Sequence, residues 1–202
     1  MKTLLCYEDG YITAMFGIGL SYGLTSNMSV SEFRSCKDKA LLERLQKIAL
    51  MLSKEGGGED KFLRQMIVCL DISAPRYWWT QMDTYKVGTV AQSESTMHTI
   101  AKQEFSRQNF SISANSSELD FVIDKLNELK AAGKFAEMIK LLPQSFIQRR
   151  IWTANYAVLK NIFEKRATHK LLEWHVFIQS VRRQIAHPEF LPCKTQSTGL
   201  NK

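Results

Sequence analysis

Cysteine is scarce in this chain and badly placed for metal or disulfide chemistry. Its four residues, Cys6, Cys36, Cys69 and Cys193, show no Cys-x-x-Cys spacing and accompany no cluster of His. That pattern gives neither a zinc site nor a disulfide framework. Cys69 lies inside an apolar run and is expected to be a small buried hydrophobe. Long apolar runs are missing too: none reaches 18 residues. The most apolar N-terminal stretch, Tyr11 to Leu24, is interrupted by Gly17, Gly19 and Gly23 and follows the acidic Glu8 and Asp9. It fits neither a signal peptide nor a membrane span, and it is expected to be loop and buried packing in a cytoplasmic protein. Basic residues form no Lys/Arg block although the formal net charge is +7. The charge implies anionic partners, nucleic acid among them, without choosing one. Neither glycine-rich stretch is a nucleotide signature. GIGLSYG has no strand, helix and acidic residue at the needed spacing. EGGGED, Glu55 to Asp60, has three glycines but not the Lys and Ser/Thr of a P-loop, and reads as a connector.

What remains is an ordinary globular chain. Its 202 residues, 45% hydrophobic and 23% charged, suit one domain with a substantial core. Thr3 to Cys6 suggests a short strand. Lys37 to Lys54 sets Leu41, Leu42, Leu45, Ile48, Ala49 and Leu52 on one side of an amphipathic helix. Arg64 to Ser73 is rich in Val and Ile between turn signals, as a buried strand is. Ser73 and Pro75 then announce a helix through Tyr85. Tyr77, Gln81 and Tyr85 share one of its faces, with Trp78 and Met82 on the next. Gln103 to Ser117 is Ser/Asn-rich and reads as loop. Helices follow at Leu119 to Leu129, with Leu119, Val122, Ile123, Leu126 and Leu129 inward, and at Phe135 to Leu142, stopped by Pro143. Another spans Leu171 to Ala186, with a stripe of Leu172, Val176, Ile178 and Ile185. Trp174 and His175 within it read as packing. His169 and His175, six apart, are poorly spaced as two ligands on one helix face. The polar tail, residues 193–202, is expected to be disordered.

The most informative stretch is Leu142 to Glu173. Ile151, Trp152, Leu159, Ile162 and Phe163 recur at helical spacing. Asn155 and Arg166 are eleven residues apart, about three turns, and fall within the same apolar stripe. A buried amide and a guanidinium need partners, which another helix or a planar anionic ligand could supply.

Within this stretch Leu142, Pro143, Trp152, Thr153, Asn155, Leu159, Asn161 and Arg166 resemble the signature LP…WTxNxRxLxNFxxLR of the flavin-dependent thymidylate synthases. The resemblance implies that Asn155 and Asn161 contact flavin and that Arg166 contacts the nucleotide substrate. His169 matches the family's following His. The family also carries Q-x-x-RHR-x-x-S-x-NE-x-S-x-R. Here Gln81 and Glu94 match outright, and Thr84, Tyr85 and Lys86 stand in place of Arg-His-Arg. With two extra loop residues, Ser93, Thr96 and His98 stand for its Asn, Ser and Arg. A Lys point charge and a part-time His cation do not reproduce two planar Arg forks. Ile139, with Lys140 beside it, takes the place of a family Arg that contacts nucleotide phosphate.

The resemblance covers roughly Asp60 to Gln184 and implies a single α+β domain over residues 1–192, with a small, largely antiparallel sheet packed with helices and a helical C-terminal half. It implies FAD as cofactor, methylenetetrahydrofolate and NADPH as possible co-substrates, a pyrimidine nucleotide monophosphate as partner, and a homotetramer. Asn155, Asn161, Glu94 and His169 would hold the cofactor; Arg166, Gln81, Lys86, Thr96 and His98 would hold the substrate. No catalytic residue is assigned, and no metal, membrane or nucleic-acid partner is expected. The family transfers a one-carbon group to a pyrimidine deoxynucleotide, and the missing Arg-His-Arg admits hydroxymethylation as a variant in a divergent, bacteriophage-type relative. The same loss supports a different reading, a catalytically silent nucleotide-binding protein that keeps the fold. A nucleic-acid-binding module would rest on the net charge alone and would show steep salt dependence.

Overall fold

The computed structural model describes residues 1–102, 104–111 and 116–192 of the chain. In order, they form β1 (Lys2–Asp9), α1 (Tyr11–Ser21), α2 (Val30–Arg34), α3 (Lys39–Leu52), a 3-10 helix (Glu59–Arg64), β2 (Ile67–Pro75), α4 (Arg76–Met82), β3 (Thr89–Ser93), α5 (Thr96–Thr99), α6 (Ser117–Ala131), α7 (Phe135–Leu141), β4 (Ile147–Asn155), α8 (Tyr156–Arg166) and α9 (Leu172–Gln184). The four strands make one antiparallel sheet in the order β1-β2-β4-β3. This is the α+β architecture, with a small antiparallel sheet and a mostly helical C-terminal half.

Helices cover one face of the sheet. Val68, Leu70, Ile72 and Ala74 of β2 and Trp152 and Ala154 of β4 meet Trp78, Tyr156, Leu159, Ile162, Trp174 and Phe177 in the main core. A smaller core under α6 and α7 is built from Ile100, Phe105, Phe110, Leu119, Ile123, Leu126, Leu129, Met138, Leu142 and Phe146. The other face of the sheet is uncovered among the described residues. Leu4, Tyr7, Ile67, Val90 and Ile151 stand on it, between 39% and 69% exposed.

Several elements differ from what periodicity suggests, each for a local reason. Ile151 and Trp152 belong to β4, not to a helix. They alternate across the sheet, so Trp152 is 3% exposed and Ile151 39%. The helix begins only at Tyr156, where Asn155 caps it. Tyr11 to Leu24 is mostly helix α1, not loop. Burial of Ala14, Met15, Phe16 and Ile18 offsets the cost of helical glycine, which is below about 1 kcal/mol per residue. Gly19 is required by packing, since a Cβ there would lie 2.4 Å from Thr25 Cγ2. Thr25 in turn donates its hydroxyl to the Phe16 carbonyl at 3.1 Å. Ser73 remains in β2, and α4 starts at Arg76 with no side-chain cap and ends at Met82 rather than Tyr85.

The inward face of α9 is Trp174, Phe177 and Val181, whereas Leu172 is 70% and Val176 39% exposed. Both faces of α9 are apolar, so composition alone did not orient it. The expected helices α3, α6 and α7 are present, and Gly133 closes α6 at φ 67. The polar tail from Cys193, and part of the stretch from Gln103 to Ser117, lie outside the described residues.

Candidate functional site

Helix α4 presents Tyr77 and Gln81, with Tyr85 following just beyond its end, to the start of α9 and the end of α8. Gln81 is the centre of this contact. Its Oε1 accepts the indole N–H of Trp174 at 2.9 Å and Nη1 of Arg166 at 3.3 Å. Indole is a donor only, so it fixes which end of the amide faces inward. The Gln81 amide nitrogen therefore points away from these partners and donates to no other described residue. Arg166 also donates through Nε to the Tyr85 hydroxyl at 2.9 Å. Its guanidinium carbon lies 4.7 Å from the Trp174 ring centre and 5.5 Å from that of Tyr85. Beside this cage, the Tyr77 hydroxyl donates to Glu173.

The electrostatics of the cage are one-sided. Among the described residues no carboxylate pairs with Arg166, while Arg149, Arg150, Arg107 and Lys160 each have an acid partner. His169 sits near it, with Nδ1 accepting from Leu171 N at 3.1 Å and its carbonyl held by His175 Nε2 at 2.8 Å. Partial burial lowers the His169 pKa, and the charges of Arg166 and His175 lower it further. A half-buried guanidinium under aromatic rings, with an outward amide donor beside it and no counter-ion among the described residues, could receive an acceptor-rich, anionic group.

Asn155 is committed in part to the fold. Its Oδ1 accepts from Val158 N at 3.0 Å as the N-cap of α8. Its Nδ2 faces the backbone of Gly88, where an added Cβ would lie 3.1 Å away, and Gly88 holds φ 74. The loop that replaces Arg-His-Arg is thereby pressed against the cap. Thr89 closes that loop by donating to the Tyr85 carbonyl at 2.7 Å, leaving Lys86 exposed. Asn161 is half-buried and makes no side-chain hydrogen bond with a described residue. It lies five residues before Arg166, roughly 140° around the helix, so α8 does not bring those two together.

The remaining candidates lie at the other end of the sheet. Strand β3 pairs Thr89 with Ala154 and Ser93 with Arg150, and Glu94 N then donates to the Arg149 carbonyl at 2.9 Å. Six residues of β4 separate that point from Asn155, roughly 20 Å at about 3.3 Å per residue. Glu94 borders α4 through Gln148, whose Nε2 donates to the Glu94 carbonyl at 2.9 Å and whose carbonyl accepts the Trp79 indole N–H at 2.9 Å, while no side-chain hydrogen bond among the described residues joins Glu94, Thr96 or His98 to Gln81 or Arg166. Ile139 packs against the smaller core and Lys140 is exposed.

Sequence reasoning missed Tyr85 as a partner of Arg166 and saw Trp174 only as packing. The signal available was aromatic density around a lone Gln on one helical face. A cavity of about 360 Å³ between α1 and the 3-10 helix, lined among others by Ala14, Gly17, Phe62 and Gln65, contains none of the candidates.

Comparison with family models finds no match, and no curated protein matches the sequence. Solved structures do match. A flavin-dependent thymidylate synthase ThyX from Helicobacter pylori, complexed with FAD and dUMP, superposes with a TM-score of 0.74 at 11% identity, covering 95% of this chain and 98% of that one. A second crystal structure of the H. pylori enzyme with FAD and dUMP gives 0.75 at 11% identity, covering 95% and 97%. Nearly end to end, this chain has the fold of the flavin-dependent thymidylate synthases.

Proposed function

We propose that the protein binds FAD and a pyrimidine nucleotide monophosphate and supports flavin-dependent one-carbon transfer to the pyrimidine. The observation that carries this reading is Arg166, caged by Gln81, Tyr85 and Trp174 without an acid partner among the described residues. Two structures of the same fold are complexed with FAD and dUMP. The residues present suit such ligands: Arg166 and the outward amide of Gln81 would hold carbonyl or phosphate oxygens of the nucleotide. The free half of the Asn155 amide, Asn161, Glu94 and His169 would serve the flavin. When bound, reduced flavin supplies hydride chemistry, and methylenetetrahydrofolate and NADPH would be co-substrates. The chain's own part is to orient the pyrimidine and to stabilise negative charge developing on a carbonyl oxygen near Arg166. Thr84, Tyr85 and Lys86 in place of Arg-His-Arg leave methylation and hydroxymethylation as the two outcomes of the transfer, in a bacteriophage-type, cytoplasmic setting.

The site is completed between subunits of a homotetramer in this reading. Thr96 and His98 make no side-chain hydrogen bond with Gln81, Lys86 or Arg166 among the described residues, and one chain's cage would be completed by the Thr96–His98 segment of a second copy. The uncovered sheet face, with Leu4, Tyr7, Ile67, Val90 and Ile151, supports assembly. Light scattering at micromolar concentration should give the mass of four chains; a monomer overturns the shared site.

One specific observation favours a second reading, a nucleotide-binding protein without catalysis. Ile139 is packed against the smaller core where the resemblance implies a phosphate-binding Arg. Absorbance of the purified protein separates the two. A flavin band near about 450 nm supports the first, and colourless protein that still binds dUMP in calorimetry supports the second.

A further inference from the structure

The pairing of β1 with β2 runs in register from Lys2 with Ser73 to Leu5 with Leu70, then resumes at Tyr7 with Cys69. Cys6 is the extra residue of a bulge, an arrangement that sets two residues against one. Cys6 and Tyr7 thus share Cys69 as their partner. The thiols of Cys6 and Cys69 are close enough to act on each other electrostatically. Their accessibilities are opposite: Cys6 is exposed and Cys69 is 5% exposed. Tyr7 is the residue directly opposed to Cys69, at the roughly 4.5–5.5 Å of opposed Cα atoms in antiparallel strands, and the bulge sets Cys6 beside it against the same residue. Sixty-three positions separate the two cysteines in sequence, so no spacing rule could pair them. The strand bulge does.

We propose that Cys6 and Cys69 are a redox-active dithiol that takes a low-molecular-weight disulfide, such as glutathione disulfide, as its oxidant. Exposure assigns the roles. The Cys6 thiolate attacks one sulfur of the oxidant, forms a mixed disulfide and releases one glutathione thiolate. Cys69 then loses its proton and attacks the Cys6 sulfur, which forms the protein disulfide and releases the second glutathione. Two protein thiols are oxidised, one glutathione disulfide is reduced to two thiols, and the two protons pass from the protein to the released thiolates. Burial raises the pKa of Cys6, as do Cys69 and the carboxylate of Asp71, so Cys6 rests as the thiol and reacts through its minor thiolate. The bridge would tie the edge strand β1 to β2 and close the chain between residues 6 and 69, a constraint on the unfolded state.

The test is peptide mapping by mass spectrometry of the full-length protein after equilibration with glutathione disulfide and alkylation of remaining thiols. The expected result is a Cys6–Cys69 cross-linked peptide two hydrogens lighter than the separate peptides and restored by dithiothreitol. Cys69→Ser should stop at a stable glutathione adduct on Cys6, and Cys6→Ser should leave Cys69 unmodified. Alkylation of both peptides in native protein, or a native Cys6 adduct that never resolves into the cross-link, overturns the proposal.

Discussion

Replacing Gln81 by Glu separates what this side chain does for the fold from what it does for a ligand. The two side chains have nearly the same shape. A carboxylate at this position keeps an acceptor for the indole of Trp174, now 2.9 Å from Oε1, and for Nη1 of Arg166 at 3.3 Å. No buried donor is orphaned, so stability should stay within about 1 kcal/mol of native, the range of a partly exposed ion pair. The ligand side changes completely: the outward amide donor disappears, and Arg166, unpaired with any carboxylate among the described residues, acquires one. Loss of a hydrogen bond to a charged group costs about 1.5–3 kcal/mol, or roughly ten- to hundredfold in Kd. Calorimetric titration with dUMP at fixed salt measures it, with thermal denaturation of the same samples as the control. Gln81→Leu is the contrasting variant. It strands the buried indole N–H and should lower stability by about 1–3 kcal/mol. Native-like dUMP affinity in a folded Gln81→Glu protein would refute the assignment of this cage as the anion site.

Other substitutions probe the frame around the site. Asn155→Ala removes the α8 cap and should lower stability by about 1 kcal/mol, while Asn155→Ser should recover most of it; equal melting temperatures for native and Ala forms would contradict the capping role. Gly19→Ala puts a Cβ 2.4 Å from Thr25 Cγ2 and should destabilise by about 1–3 kcal/mol. Gly17→Ala, with 3.8 Å of room to Gln65 Oε1, should be neutral or stabilising in the same denaturant titration. The hydrogen bonds and charge of Arg149 lower the Asp71 pKa below its ordinary 3.8. A depressed carboxylate contributes stability above its unfolded pKa and loses it as pH falls through the folded one. Native protein should therefore lose stability below about pH 3.8 more steeply than Asp71→Asn, and parallel acid curves would count against the pair.

The fold was legible wherever one period dominated a segment. Leu41, Leu45 and Ala49 marked α3, and Leu119, Ile123, Leu126 and Leu129 marked α6, because each helix has one apolar side and one solvated side. Legibility failed where two faces compete. In Ile147–Asn155 the helical spacing of Ile151, Trp152 and Leu159 spans a strand, a cap and a helix. Apolar residues on both faces of α9 concealed that Trp174, not Leu172, turns inward. Glycines concealed α1, since the packing that admits Gly19 against Thr25 depends on a residue beyond the helix's end.

The site was half legible for a related reason. A motif names residue types at spacings along one chain, and Gln81 and Arg166, which the resemblance assigns to the substrate, are hydrogen-bonded at 3.3 Å. What spacing does not encode is the partner each group uses in the folded state. Tyr85, a departure where the family has His, proves to be the acceptor for Arg166 Nε and one wall of its cage. Asn155, an outright match, spends one of its two polar atoms on capping α8. A match can therefore be partly structural and a departure can be built into the site, so counting identities misjudges both. The decisive quantity is the hydrogen-bonding capacity left over after folding. By that measure Arg166, the amide nitrogen of Gln81 and the amide nitrogen of Asn155 all remain as donors, whereas Asn155 Oδ1 and Gln81 Oε1 are both spent as acceptors. Unspent donors at the two ends of α8, with few unspent acceptors beside them, suit oxygen-rich, anionic ligands, which is the chemistry the proposed function requires.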